Sequence, residues 1–346
     1  MHLLPRRRAL ALAATAAASL ALAACGGDGS SSSSSSSSAS GSASASASDA
    51  FPVSIEHALG TTEIDSAPER VVVIGWGATD VLFSLGVTPV GVPTGSYGAS
   101  EDGTFPWWEG HFDAAKTELM PSADSGEVPF EAIAAARPDL VIAVQSGITA
   151  DDYATLTGIA PTVAYPEAPW KTTWQDQTTI VGRAVGKEDE ATELVARTEE
   201  SLAAAGRANP SLAGTTFSYV YASSAGLGTY LPGDSRVDLL TDMGMVVAPG
   251  VATLAEGATS FYTEVSKERI HDVDSDVLVA YGEMPLAEFR ADPVFATVPA
   301  VAKDAVVWLE DETFITATSA PSVLNVPWFL DRFAPQLAEA ATKAKA

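Results

Sequence analysis

The sequence predicts an α/β fold of two Rossmann-like lobes with mainly parallel sheets, joined by one long interdomain α-helix. Three observations carry this. Short β-branched runs alternate with short helical patterns, and a segment of the first half recurs without gaps in the second. Between the two lies a single long amphipathic helix pattern.

The first lobe is expected over residues 51–186. Val53 to Leu59 alternates as a strand, and Thr61-Thr62-Glu63-Ile64 reads as its hairpin partner, turning at Gly60. Arg70-Val71-Val72-Val73-Ile74-Gly75 is a buried strand that ends in a glycine turn. Asp80 to Leu85 reads as a helix stopped by Gly86, and Thr88 to Val92 as the next strand. Glu131 to Ala136 reads as a helix, followed after Pro138 by the strand Leu140 to Val144. Such alternation implies a mostly parallel sheet covered on both faces.

The second lobe, over 211–346, repeats the plan. Val128 to Ala143 aligns without gaps on Val265 to Ala280, with Glu131, Ile133 and Asp139 matched by Glu268, Ile270 and Asp276. A shorter echo pairs Asp80 to Gly86 with Asp238 to Gly244, although any two βα units share that much. The connecting segment 187–210 has apolar residues at 191, 194, 195, 202 and 205 and acids at its start, where they offset exposed N–H groups. Gly206, Asn209 and Pro210 stop it. About 20 helical residues span roughly 30 Å, enough to brace two lobes across a cleft.

The N-terminus addresses compartment. Arg6, Arg7 and Arg8 precede an apolar stretch from Ala9 to Ala24 that is too short for a comfortable membrane span. Residues 1–24 therefore read as a lipoprotein signal peptide. Leu22-Ala23-Ala24-Cys25 has the form of a lipobox, and Cys25 is the sole cysteine among 346 residues. A plain signal peptide is the alternative, and the paired arginines leave twin-arginine export open beside the general route. Residues 25–50 form a Ser/Ala/Gly tether that cannot bury enough apolar surface to fold, with a reach of roughly 25 Å. A diacyl anchor on Cys25 would hold such a domain stably at a membrane, whereas one chain would not.

Removing residues 1–24 takes away three arginines and no acids, leaving 16 basic and 44 acidic residues. So acidic a chain lacks the basic face that nucleic acid requires. His57, His111 and His271 are scattered, with no zinc-ligand spacing, and neither a Gly-x-Ser-x-Gly elbow nor a complete dinucleotide fingerprint is present. Gly75-Trp76-Gly77 begins such a fingerprint, but Asp80 stands where the third glycine belongs. An enzyme is not expected, nor a resident metal or cofactor.

Four segments, in this order and spacing, carry a family resemblance: Ala67-Pro68-Glu69-Arg70-Val71-Val72, Leu85 to Val92, Glu131 to Ile142, and Ile159-Ala160-Pro161-Thr162-Val163. Together they resemble the helix-braced (class III) substrate-binding lipoproteins of ABC importers, the iron-siderophore, haem and vitamin B12 binders. The resemblance spans nearly all of 51–340. It implies a monomer on the outer face of the cytoplasmic membrane, at the surface of a Gram-positive cell, handing a ferric siderophore to an importer. Iron would enter only within that cargo. It further implies that one surface glutamate on each lobe docks on the importer's transmembrane subunits, here Glu131 and Glu268. An early-helix acid favoured by the helix dipole is the bland alternative for each.

A bulky, metal-sequestering ligand needs aromatic walls more than metal ligands. Trp76, Tyr97, Trp107, Trp108, Tyr221, Tyr230 and Tyr281 lie in loops or at strand ends, where α/β folds carry function, although lone aromatics also cap cores. Arg236, in Pro232-Gly233-Asp234-Ser235-Arg236, is the charged candidate: a guanidinium donates to ligand oxygens without losing its charge. Pairing with Asp234 or Asp238 is its structural alternative. Basic residues are scarce in these loops, which favours a hydroxamate over a highly anionic triscatecholate complex. Trp170 and Trp174 are expected on one face of a helix from Lys171 to Val185, packing beneath the cleft, with Trp308 and Trp328 likewise in packing roles. Val326 to Lys343 reads as a final amphipathic helix. Haem or cobalamin cargo, and a surface scaffold role, are the competing functions.

Overall fold

The computed structural model describes residues 50–123 and 127–346. Cys25, the leader over 1–24 and the tether up to residue 49 lie outside the described residues. The predicted hairpin is present as β1 (Val53–His57) and β2 (Gly60–Ile64), with His57 opposite Gly60. It alternates buried and exposed residues, as a strand pair with one covered face should.

The first large sheet comprises β3 (Val71–Val73), β4 (Gly91–Pro93), β5 (Glu118–Met120), β6 (Leu140–Ala143) and β7 (Thr162–Ala164). Its order is β5-β4-β3-β6-β7 and every pairing is parallel. All residues of β3 and β6 are buried, which is why these strands read as continuous apolar runs rather than as alternations.

The second sheet comprises β8 (Thr216–Ala222), β9 (Gly226–Tyr230), β10 (Val246–Val247), β11 (Tyr262–Ser266), β12 (Val277–Gly282) and β13 (Val306–Trp308). Its order is β11-β9-β8-β12-β13, with β10 beside the start of β8. Pairs β8–β12, β12–β13 and β8–β10 are parallel, but β9 is antiparallel to both β8 and β11. The repeat is therefore incomplete. A short turn after Ala222 returns the chain directly as β9, where a parallel neighbour would need a crossover.

The connecting helix runs from Glu188 to Ala208, between the last strand of the first sheet and the first strand of the second. Glu188, Asp189 and Glu190 occupy its first turn and Arg207 its last, the order that complements the helix dipole. It packs against helices Trp174–Ala184 and Val326–Ala344. One buried cluster includes Val71, Val73 and Leu140 from the first sheet and Phe217, Tyr219 and Val277 from the second. The two halves thus share packed interior as well as a brace, which opposes wide hinge opening.

Helix Trp174–Ala184 starts later than expected. Thr173 caps it, its hydroxyl accepting from the Asp176 N–H at 3.0 Å. Trp170 is consequently not helical: it has φ 61°, in the left-handed region. No helix among the described residues is long and apolar enough to cross a membrane.

Candidate functional site

A cleft of about 460 Å³ lies between the two sheets, within the range of small-ligand sites. Its first wall follows the C-terminal ends of β3 and β4, through Gly75, Trp76, Pro93 and Thr94. The second follows β8 and β12, through Tyr221, Tyr281 and Gly282. Crevices at the carboxyl ends of parallel strands, where strand order reverses about a central strand such as β3, are the usual ligand positions in open α/β sheets.

Gly75 makes the turn that exposes Trp76. It has φ 85°, and a Cβ there would strike the Gln145 carbonyl. The Trp76 N–H donates to that carbonyl at 3.0 Å, and the Gln177 side-chain amide donates to the Trp76 carbonyl at 2.5 Å. The backbone is thus fixed while the side chain remains 39 % exposed. Trp170 meets it with ring centroids 5.5 Å apart. The indole of Trp170 crosses Gly147 so closely that a Cβ there would lie 2.5 Å from its Nε1.

Trp107 and Trp108 occupy a 3-10 turn, Pro106–Trp108, and both line the cleft although they are buried. Their indole N–H groups converge on Asp80 Oδ1, at 3.3 Å from Trp107 and 2.6 Å from Trp108. The Ser322 hydroxyl donates to Asp80 Oδ2 at 2.5 Å, from the opposite end of the chain. Phe105 stacks on Trp107 with centroids 4.6 Å apart. Burial pushes the Asp80 carboxyl up to about 6, against the pull of these three donors and of His111.

On the second wall, Tyr221 and Tyr281 meet edge to face at 5.3 Å. Tyr230 is buried behind them and does not line the cleft; its hydroxyl shares a 2.5 Å hydrogen bond with that of Tyr281. Arg236 does reach the cleft, and its guanidinium lies 4.2 Å over the Tyr230 ring. It also pairs with Asp234 at 2.9 Å, so pairing and cleft exposure coexist rather than compete. Burial disfavours the Arg236 charge, but Asp234 and the tyrosine hydroxyls outweigh it and raise its pKa. Among the described residues, its buried Nε–H has no acceptor.

Tyr97 stands at the rim, 49 % exposed. The Thr316 hydroxyl donates to the Tyr97 carbonyl at 2.9 Å and the Thr313 hydroxyl to the Gly98 carbonyl at 2.6 Å. Helix Glu312–Ser319 of the second half is thereby tied to a loop of the first.

Glu131, in the first turn of helix Phe130–Ala136, and Glu268, in the 3-10 segment Lys267–Val273, are both exposed and away from the cleft. Among the described residues no group of three or more His, Cys, Asp or Glu is placed to hold a metal ion. Several contributors escape sequence reasoning, Phe105 and Ser122 of the lining among them. From sequence, Asp80 reads as a helix start and a bar to nucleotides, Trp170 reads as helical packing, and the segment 315–325 carries no signal. A Thr-x-x-Asp capping pattern at Thr173 was the signal that would have moved the helix start past Trp170.

Known proteins share this architecture. The probable siderophore-binding lipoprotein YfiY of Bacillus subtilis (strain 168) is 29% identical over 242 residues, covering 65% of this chain and 67% of YfiY. The crystal structure of PiaA from Streptococcus pneumoniae TIGR4 in complex with ferrichrome superposes with a TM-score of 0.77 at 32% identity, over 84% of this chain and 99% of that one. Staphylococcus aureus SirA complexed with staphyloferrin B gives 0.68 at 25% identity, over 82% and 98%. The family model described as periplasmic binding protein matches residues 71–313, and the chain belongs to that family.

Proposed function

We propose that this protein captures a ferric siderophore of the hydroxamate type outside the cell and delivers it to an ABC importer. The observation that carries the proposal is an aromatic cleft containing a single guanidinium. Trp76, Trp107, Trp108, Tyr97, Tyr221 and Tyr281 supply apolar faces, and among the described residues Arg236 is the only basic one in the lining. A hydroxamate complex carries little or no net charge, so one guanidinium matches its carbonyl and hydroxamate oxygens. A triscatecholate would bring several negative charges into a cleft with one cation to receive them. The ferrichrome bound by PiaA supports the same ligand class.

The lipobox at Cys25, the tether to residue 50 and the lipoprotein relatives support a lipid-anchored protein on the outer face of the cytoplasmic membrane. It would act as a monomer, binding without catalysis and without a cofactor of its own. Glu131 and Glu268, exposed at corresponding points of the two halves, suit docking on cationic residues of the importer's transmembrane subunits.

The test is intrinsic tryptophan quenching of the full chain in detergent against ferric hydroxamates, ferric catecholates, haem and cobalamin. A tight, saturable response to hydroxamates is expected. Trp76→Ala should weaken it by about ten- to a hundredfold while leaving the melting temperature in place, because the side chain is partly exposed. Preference for a catecholate or for haem refutes the ligand class; silence toward the whole panel refutes import.

A further inference from the structure

We propose that Asp80 is the positioning residue of the cleft: its carboxylate holds both indoles of one wall and ties that wall to Ser322 of the other half. The proposal goes one step beyond the ligand-binding reading of the cleft and rests on it.

The geometry is unusual in its economy of partners. Both indole N–H groups end on Oδ1 and the Ser322 hydroxyl on Oδ2, so one side chain joins three segments distant in sequence. Ser322 is itself fixed. It accepts from the Asn325 N–H at 3.1 Å, and its own N–H donates to Asn325 Oδ1 at 2.8 Å, at the start of helix Val326–Ala344. Asn325 lines the cleft, as do Trp107, Trp108 and Asp80. An indole has one donor, and where that donor points decides which edge of the ring faces the cavity. Removing the acceptor would leave three buried donors unpaired, the Ser322 hydroxyl and both indoles, and free the rings to turn.

The surroundings make this arrangement sensitive to protonation. The groups that touch Asp80 are neutral donors: Trp107, Trp108 and Ser322. Of the charged groups, His111 favours its ionised form, and Arg236 lines the same cavity from the second half. A proton on Oδ2 can be donated to Ser322, so the contacts survive while their charge assistance is lost. Asparagine mimics that state, since its carbonyl accepts from both indoles and its amide can donate to Ser322.

The experiment uses the full chain and ferrichrome. Asp80→Ala is expected to weaken binding at least tenfold, and Asp80→Asn to restore it to within about threefold. Without ligand, the ¹⁵N-indole resonance that Trp108→Phe removes should move with pH in the wild type, with a midpoint near 6, and stay flat in Asp80→Asn. A resonance flat in the wild type, or unchanged affinity in Asp80→Ala, overturns the proposal. Should Asp80→Ala not fold, Ser322→Ala cuts only the tie between halves: a loss of at least about threefold is expected, and unchanged affinity overturns it. A wild-type chain that ignores ferrichrome but shows the titrating indole refutes the ligand reading and leaves the ring-holding role standing.

Discussion

Asp139 and Asp276 hold corresponding places in the two sheets. Asp139 accepts from the backbone N–H groups of Glu69 and Arg70, each at 2.8 Å, at the foot of β3. Asp276 accepts from the Thr216 N–H at 2.9 Å and its hydroxyl at 2.7 Å, at the foot of β8. Each leads into the strand, β6 or β12, that runs parallel to the strand it clamps. Each also follows its glutamate, Glu131 or Glu268, at the same spacing. The gapless echo in sequence is therefore a repeated clamp in structure.

The clamp in the second half should be pH-dependent. The Thr216 N–H, helped by its hydroxyl and by Lys303 and Lys345, holds the Asp276 carboxyl below its ordinary pKa against the opposing effect of burial. A carboxylate depressed on folding stabilises above its unfolded value, near 3.9, and that stability is lost as pH falls through the folded value. Asp276→Ala should cost about 1–2 kcal/mol at pH 7 in urea denaturation. The gap from wild type should narrow below pH 4; a gap of constant size would count against the clamp.

Asp242 should behave with the opposite sign. Burial, then Asp238 and Glu199, push its carboxyl up to about 6. An acid raised on folding is a liability while ionised, above about 6, and the liability fades as pH falls toward the unfolded value. Asp242→Asn is expected to raise stability at pH 7.5 by about 1–2 kcal/mol and to do nothing at pH 4. A mutant less stable than wild type at pH 7.5 would show that this carboxylate has a compensating partner.

Arg236 and Asp234 form a pair that neither member survives alone. Arg236→Ala leaves Asp234 buried and unpaired, which typically costs about 3–5 kcal/mol. The uncharged double variant Asp234→Asn with Arg236→Met should be markedly more stable than Arg236→Ala, yet equally unable to bind ligand. A thermodynamic cycle in chemical denaturation separates the two effects. Additive costs would mean that the pair is not coupled.

Glu131 and Glu268 should matter only to transport. Changing both to Ala is expected to leave ligand affinity and melting temperature within error, since both side chains are exposed. Ligand uptake by whole cells should be abolished. Normal uptake would reduce both to ordinary helix-start acids.

Local pattern made the framework legible. Runs such as Val71–Val73 and Leu140–Ala143 are apolar at every position because both faces of the strand are covered, and such runs announce themselves. The brace was legible because amphipathic period and charged ends agree along its length. The site was half legible. Trp76 follows the end of β3 and Tyr281 lies at the C-terminal end of β12, and both can be assigned from one segment, but Tyr230 closes β9 in the same way and faces inward. Burial of a residue depends on which strand packs beside it, and the antiparallel turn into β9 was not encoded by a period.

The sequence by itself determined the halves, the brace, the acidic character and the residue types available to a cleft, because these follow from short-range periodicity and composition. Only the tertiary structure decided that Asp80 meets Ser322, that Trp170 meets Trp76, and that Arg236 reaches the cavity while paired to Asp234. The reason is physical: such contacts join segments far apart along the chain. Their geometry is set by how two sheets pack against one helix, and no local preference carries that information.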